Sequence, residues 1–275
     1  MKRIKYPFLR KVLKGILPPF ILVLLRKIFQ NPVISFTYGF SDWESAANAA
    51  EGYDGDDIIK KTANSARKVL NGEAVYERDS VIFDKIEYAW ELLASLLFVA
   101  AERPSLKVID FGGGLGTTFQ QNRRFLQRLH KQVEWKIVEQ PRFIEIGKKE
   151  FEGKGLTFYN TIAEASKDIV DVILFGSSIC YVNNPYQYLR EAVETNANFI
   201  IFDRTPISFT DHDEFVLQNI SPPIYKASYP LRVFNRQNLL KVFYQNEYEL
   251  IEEWECMIQS DPNSISTGFL LKKRE

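Results

Sequence analysis

The chain has 275 residues, 45% of them hydrophobic and 25% charged, a composition that can bury a sizeable core and excludes a disordered or fibrous protein. Thirty-five basic residues balance 35 acidic ones, which leaves no case for electrostatic capture of nucleic acid. Two cysteines, Cys180 and Cys256, and two histidines, His130 and His212, show no metal-ligand spacing, so no structural metal is expected and the cysteines read as free thiols of a reducing compartment.

The balance hides an asymmetry. Residues 1–30 carry Lys2, Arg3, Lys5, Arg10, Lys11, Lys14, Arg26 and Lys27 and no acid. Phe8, Leu9, Val12, Leu13, Ile16 and Leu17 recur at helical spacing opposite Arg10, Lys11 and Lys14, which predicts a basic amphipathic helix ended by Pro18-Pro19. The apolar stretch after it falls short of the roughly 20 residues that span a bilayer. No small-residue cleavage site follows it either. Two destinations stay open: an anionic membrane surface, or a dock on the protein's own body or a partner. The expected location is cytoplasmic, with peripheral contact at the inner face of the membrane under the first of these.

From Phe40 to Arg103 the pattern reads as a helical cap. Ser41 with Glu44 fits a capping box, Asp54–Leu70 is expected as a second helix closed by Asn71-Gly72, and Val81–Ala101 as a third, with Ile82, Ile86, Trp90, Leu93 and Leu97 on one side. Between them, Tyr76-Glu77-Arg78-Asp79 reads either as a lid over the cleft or as a helix-start cluster. The expected organisation is a basic segment over 1–30, a helical cap over 31–103 and an α/β domain over 104–275.

After Pro104 the period changes. Short apolar runs at 107–110, 133–139, 156–159, 171–175 and 198–203 alternate with helix-like segments, the pattern of parallel strands buried on both faces with helical crossovers. Runs at 248–256 and 267–273 have no helix between them and predict an antiparallel pair joined through Asp261-Pro262-Asn263. The expected fold is therefore a Rossmann-like α/β sheet of five parallel strands plus a C-terminal antiparallel pair.

The first of these runs enters Asp110-Phe-Gly112-Gly-Gly114-Leu-Gly116 and then Thr117-Thr118. Read as the dinucleotide fingerprint G-x-G-x-x-G, the third glycine would fall on Thr117 and is missing. The pattern D-x-G-x-G-x-G, the first motif of S-adenosylmethionine-dependent methyltransferases, is satisfied throughout. An acid at the strand end suits a cationic ligand, whereas pyrophosphate favours a helix N-terminus without one. Glu139 ends the next strand, where a carboxylate can accept both ribose hydroxyls. The expected cofactor set is Asp110, Gly112, Gly114, Gly116, Glu139, Gln140, Ser177 and Tyr76, with S-adenosylmethionine as the cofactor.

The run of Gly72–Asp79, Asp110–Gly116, Gln121-Asn-Arg123, Val138-Glu-Gln-Pro141, Asp203-Arg-Thr-Pro206 and Tyr225-x-x-Ser-Tyr-Pro230 resembles a family of bacterial methyltransferases found with surface-polysaccharide biosynthesis loci. The resemblance covers nearly the whole chain and implies methyltransferase chemistry on a saccharide, while the amphipathic segment adds the lipid part of the expected acceptor, a saccharide or lipid-linked glycan. It does not fix the acceptor.

Methyl transfer from a sulfonium is an in-line displacement that needs alignment, a proton acceptor and exclusion of water. His212, in the loop after the fifth strand, and Asp203, beside Arg204, are the candidate bases, and Tyr181 is expected to stack on the cofactor or line the acceptor pocket. Asp203 could equally form a structural pair with Arg204. Tyr225, Tyr229, Arg232 and Arg236 in the segment 205–236 would suit a sugar bearing phosphate or carboxylate, or a folded surface loop. Two rivals stay open: an NAD-dependent sugar-modifying oxidoreductase, and a cofactor-binding but non-catalytic partner of a membrane-surface assembly.

Overall fold

A computed structural model describes residues 34–50, 56–78, 80–221, 227–256 and 263–274. The expected amphipathic helix in 1–30, Asp79, Tyr225 and the Asp261-Pro262 part of the last turn lie outside them. The described chain opens on β1 (Ile34–Phe40) and a short helix α1 (Trp43–Asn48). Asp42, rather than Ser41, caps α1: its carboxylate accepts from Ser45 N at 2.8 Å, and Ser45 Oγ accepts from Asp42 N at 3.4 Å, a capping box shifted by one residue. Helix α2 (Asp56–Leu70) ends as the sequence predicts, with Gly72 at φ +76.

The region after α2 corrects the all-helical cap. Strands β2 (Tyr76–Arg78) and β3 (Val81–Phe83) form an antiparallel hairpin, and helix α3 begins only at Trp90 and runs to Glu102. Ser80 at φ +68 turns the chain between the two strands. Ile82 and Trp90, which mimic a helical stripe in the sequence, are 41% and 58% exposed, so burial does not bind them into one face. Tyr88, Trp90 and Phe125 instead stack on one another at the start of α3.

Beyond Pro104 come β4 (Leu106–Phe111), α4 (Thr117–Leu126), β5 (Val133–Val138), α5 (Pro141–Glu150), β6 (Leu156–Tyr159), α6 (Ile162–Ala165), β7 (Val172–Gly176), a 3-10 turn (Ile179–Tyr181), α7 (Pro185–Glu194) and β8 (Phe199–Ser208). Then follow β9 (Glu214–Ile220), β10 (Ala227–Val233), α8 (Arg236–Tyr244), β11 (Tyr248–Glu255) and β12 (Ser264–Lys273). Seven strands pair in the order β11-β12-β8-β7-β4-β5-β6. Strands β4 to β8 are parallel, and β12 runs antiparallel between β8 and β11. That order, with the reversed strand inserted beside the fifth parallel one, is the class I methyltransferase arrangement.

Helices α2 to α5 pack on one face of the sheet and α6, α7 and α8 on the other. The double cover explains the unbroken apolar runs: Val172 to Phe175 are all fully buried, and each such side chain contributes about 1.5–3 kcal/mol relative to exposure.

The segment 205–236 is not a loop. Strand β8 runs on beyond the end of β7 to Ser208, still paired with β12, and β9 and β10 follow as an antiparallel pair that β1 completes, Ile34 pairing with Ile220. This three-stranded roof meets the main sheet at the 3-10 turn, where Tyr181 and Tyr229 pack edge to face at 5.3 Å. Its fastening is Asp213. The carboxylate accepts from Tyr186 OH at 2.9 Å, Arg232 Nη1 at 2.9 Å and Asn235 N at 2.8 Å.

Candidate functional site at the carboxyl edge of the sheet

Strand β4 delivers the glycine turn to the carboxyl edge, beside the turn that leaves β7. The two turns interlock. Gly112 N donates to Val138 O at 2.8 Å, and Ser178 Oγ donates to Phe111 O. A Cβ at Gly112, where φ is +70, would overlap the Cβ of Ser178, and one at Gly113 would come 2.6 Å from Asp110 Oδ2. At Gly114, with φ +58, a Cβ would meet nothing within 4 Å. The turn is thus filled from beneath and open at Gly114, so a ligand can approach the backbone there.

Asp110 supports this turn from below. It is 1% exposed, and its Oδ2 accepts from Trp135 Nε1 at 3.0 Å. Burial raises its carboxyl to about 7 against the lowering effect of the Trp135 hydrogen bond and the Arg204 charge, with the Glu139 charge adding to the rise. The sequence offers Asp110 to a ligand amino group; in the structure its Oδ2 lies under Gly113 and accepts from Trp135 of β5.

Glu139 follows β5 directly, partly buried, and its Oε2 accepts from Gln140 N. Burial lifts its carboxyl to about 6, opposed by that amide. Gln140 is exposed and precedes Pro141, the first residue of α5. Gly116, at φ +91, stands at the N-cap of α4.

On the far side of the cleft the ends of β7 and β8 both carry strained residues: Ser177 at φ +63 and Arg204 at φ +54. Between the pairs Phe202↔Phe269 and Thr205↔Thr267 the register shifts, so β8 holds one extra residue at Asp203-Arg204. Such a bulge re-aims a side chain. Arg204 is re-aimed so that its charge reaches Asp110 and Cys180 across β7.

Asp203 is 1% exposed, with Oδ2 3.0 Å from Arg204 Nε, out of hydrogen-bond alignment, and Oδ1 3.7 Å from Cys256 Sγ. Burial and the Asp203 charge push the Cys256 thiol up to about 12. Of the two sequence readings of Asp203, the structure realises the structural pair. His212 sits on the exposed turn between β8 and β9, its Nδ1 2.9 Å from Asp211 Oδ1, and that carboxylate raises its pKa. Five strand residues separate the sheet edge at Asp203 from that turn, about 16 Å of extended chain. His212 thus stands on an exposed turn beyond the end of β8.

Tyr181 stands at the junction with the roof. Its hydroxyl donates to Gln218 Oε1 of β9 at 2.8 Å. Arg232 and Arg236, expected to read an anionic sugar, are engaged with Asp213 and Glu253. Tyr76 is 3% exposed, its hydroxyl within 3.2 Å of Gln121 Nε2. It packs the hairpin against α4.

Glu77, within the Tyr76–Asp79 cluster that the sequence offers as a lid or a helix start, accepts from the Thr117 hydroxyl at the start of α4, and the role of Ser178 is set only by its tertiary contact with Phe111. Gln218 could have been found from the alternation in Glu214-Phe-Val-Leu-Gln-Asn-Ile220, which reads as a strand. Among the described residues no group of three or more His, Cys, Asp or Glu side chains could hold a metal, and no helix is long and apolar enough to cross a membrane.

No family model and no curated protein matches the chain. Solved structures do. An S-adenosylmethionine-dependent methyltransferase from Clostridium acetobutylicum ATCC 824 is 10% identical with a TM-score of 0.46, covering 78% of this chain and 99% of its own. The N-terminal domain of EvdMO1 in the presence of SAH and D-fucose is 13% identical with a TM-score of 0.49, covering 80% of this chain and 100% of its own. CalS10, an amino pentose methyltransferase from Micromonospora echinaspora involved in calicheamicin biosynthesis, is 12% identical with a TM-score of 0.46, covering 68% and 92%. None of these likenesses bears on activity; the fold is defined by the strand order, the register and the glycine turn.

Proposed function

We propose that the protein is an S-adenosylmethionine-dependent methyltransferase that methylates an oxygen of a saccharide or lipid-linked glycan. The observation that supports the donor is the turn 110–116. Its backbone is packed from beneath by Ser178 and Asp110 and left open at Gly114, while Glu139 ends the neighbouring strand with a carboxylate suited to a ribose diol. These residues fit the donor: Gly112, Gly113 and Gly114 would hold it along the backbone and Glu139 would take the ribose. When bound, S-adenosylmethionine supplies a methyl group on a positively charged sulfur.

The chain's own part is to hold, orient and exclude water. Ser178 locks the glycine turn to the end of β4, which fixes one side of the cleft. Tyr181, held on Gln218 and set edge-on to Tyr229, offers hydroxyl, amide and aromatic surface to a hydroxyl-rich acceptor. With Arg232 and Arg236 committed to carboxylates, neither supports an anionic acceptor, and a neutral sugar face is the better fit.

The lipid part of the reading rests on charge. Residues 1–30 hold eight basic side chains and no acid, and in the chain they precede β1, an edge strand of the roof. A polybasic segment is attracted to anionic lipid, which supports a peripheral site at the inner membrane face.

Titration calorimetry tests the donor. The account expects saturable binding of both S-adenosylmethionine and S-adenosylhomocysteine; no binding of either overturns it. Labelled methyl transfer to a glycan carried on anionic vesicles tests the acceptor, and equal transfer to soluble sugar and vesicle-borne glycan would remove the membrane part.

A further inference from the structure

We propose that Glu77 sets the charge preference of the donor cleft: it fills the amino-terminal end of the glycine helix with the protein's own carboxylate, so that the cleft favours a cationic sulfonium and rejects a pyrophosphate. The inference rests on the donor reading above and adds to it a residue outside the glycine motif.

Helix α4 has ten residues, and the unbonded amides of its first turn carry partial positive charge. In dinucleotide-binding folds that end receives the pyrophosphate. Here the end already has an anion. Glu77 of β2 is 4% exposed, and its Oε1 accepts the hydroxyl of Thr117, the first residue of α4.

The placement is held from a second point. One turn along α4, Gln121 Nε2 donates to the Glu87 carbonyl and lies 3.2 Å from Tyr76 OH, so the hairpin and the strand-like segment after it are both fastened to the glycine helix. Glu77 and Thr117 border one small cavity lined mostly by apolar side chains such as Leu115 and Phe151, so the carboxylate is held out of bulk water at the start of α4. A second anion brought to that end would meet a like charge in a poorly screened site, whereas a cation would be attracted. Asp110 cannot serve in the same way, because its carboxylate is turned to Trp135 beneath the backbone.

S-adenosylmethionine and S-adenosylhomocysteine differ by one methyl group and one positive charge, so their affinity ratio reads charge and little else. The test titrates the full-length protein and its Glu77→Gln variant with both ligands. Glutamine keeps the shape and an acceptor for Thr117. Loss of the charge is expected to lower affinity for the sulfonium about threefold or more relative to the thioether. Thr117→Val, which keeps the charge, should leave the ratio at the unaltered value. A purely structural strut would weaken both ligands alike in Glu77→Gln, and an unchanged ratio overturns the inference while leaving the donor reading intact. If the unaltered protein binds neither ligand, the donor reading falls and this inference with it. Should Glu77→Gln not fold, the unaltered protein still decides: NADH is expected not to bind, and saturable quenching of its fluorescence would overturn the proposal.

Discussion

The glycine turn at 112–116 meets the start of the 3-10 turn at Ser178 and the roof strands β9 and β10 meet its end at Tyr181, but the two are held by different means. The turn is fixed by backbone: Gly112 N on Val138 O, Ser178 on Phe111 O, and no room for a Cβ at two of its glycines. The roof is fixed by side chains, with Asp213 gathering Tyr186, Arg232 and Asn235, and Tyr181 reaching Gln218. Backbone fixing tolerates little substitution at Gly112 and Gly113, where an added Cβ collides. Side-chain fixing can be rewritten one contact at a time. A conserved reaction with a changeable acceptor would be served by that division, the donor gripped by main chain and the acceptor read by replaceable groups.

Substitutions can break this contrast in order of expected effect. Gly112→Ala adds a Cβ against Ser178 at a left-handed φ, and should cost roughly 3–4 kcal/mol in denaturant unfolding together with donor binding. Asp213→Ala leaves Arg232 mostly buried without its main partner. A loss of about 3 kcal/mol is expected, with donor affinity retained in the folded fraction because the turn is untouched. If Asp213→Ala abolished donor binding in folded protein, the two regions would not be independent.

Asp110→Asn sharpens the account through pH. The folded carboxyl sits at about 7 against an ordinary 3.8, so between those values the native state binds more protons than the unfolded one and stability falls as pH rises. Asparagine removes that slope. Unfolding of both proteins between about pH 4 and 8 should show the difference growing in favour of the variant, by on the order of 2–4 kcal/mol, then levelling above about 7. Glu139, lifted to about 6, is present in both proteins. At the small end, His212→Ala on its exposed turn should change stability by less than about 0.5 kcal/mol and leave methyl transfer within twofold, measured as initial rate.

Much of this was readable from residue order. The five parallel strands announced themselves because double burial forces continuous apolar runs, and the glycine turn because its chemistry is local. Glu139 stands directly after β5, at the strand end the sequence indicates. What escaped was non-local or short. Strand β1 exists because Ile34 to Phe40 pair with Ile220 to Phe215, a partner far along the chain. The hairpin β2–β3 has three-residue strands, too brief for a period to show, and Ile82, Ile86 and Trp90 fall by coincidence at helical spacing. In the site, the bulge that turns Arg204 depends on the register with β12, and the roles of Ser178 and Glu77 depend on contacts with the turn. The exposed turn that carries His212 lies beyond the end of β8, a placement that only the full length of the strand reveals.

A crystal structure with S-adenosylhomocysteine bears most directly on the central claim. The account predicts the ligand along Gly112 to Gly114 with its ribose hydroxyls on Glu139. A nicotinamide dinucleotide accepted in that cleft, or a homocysteine ligand seated away from the turn, would contradict it.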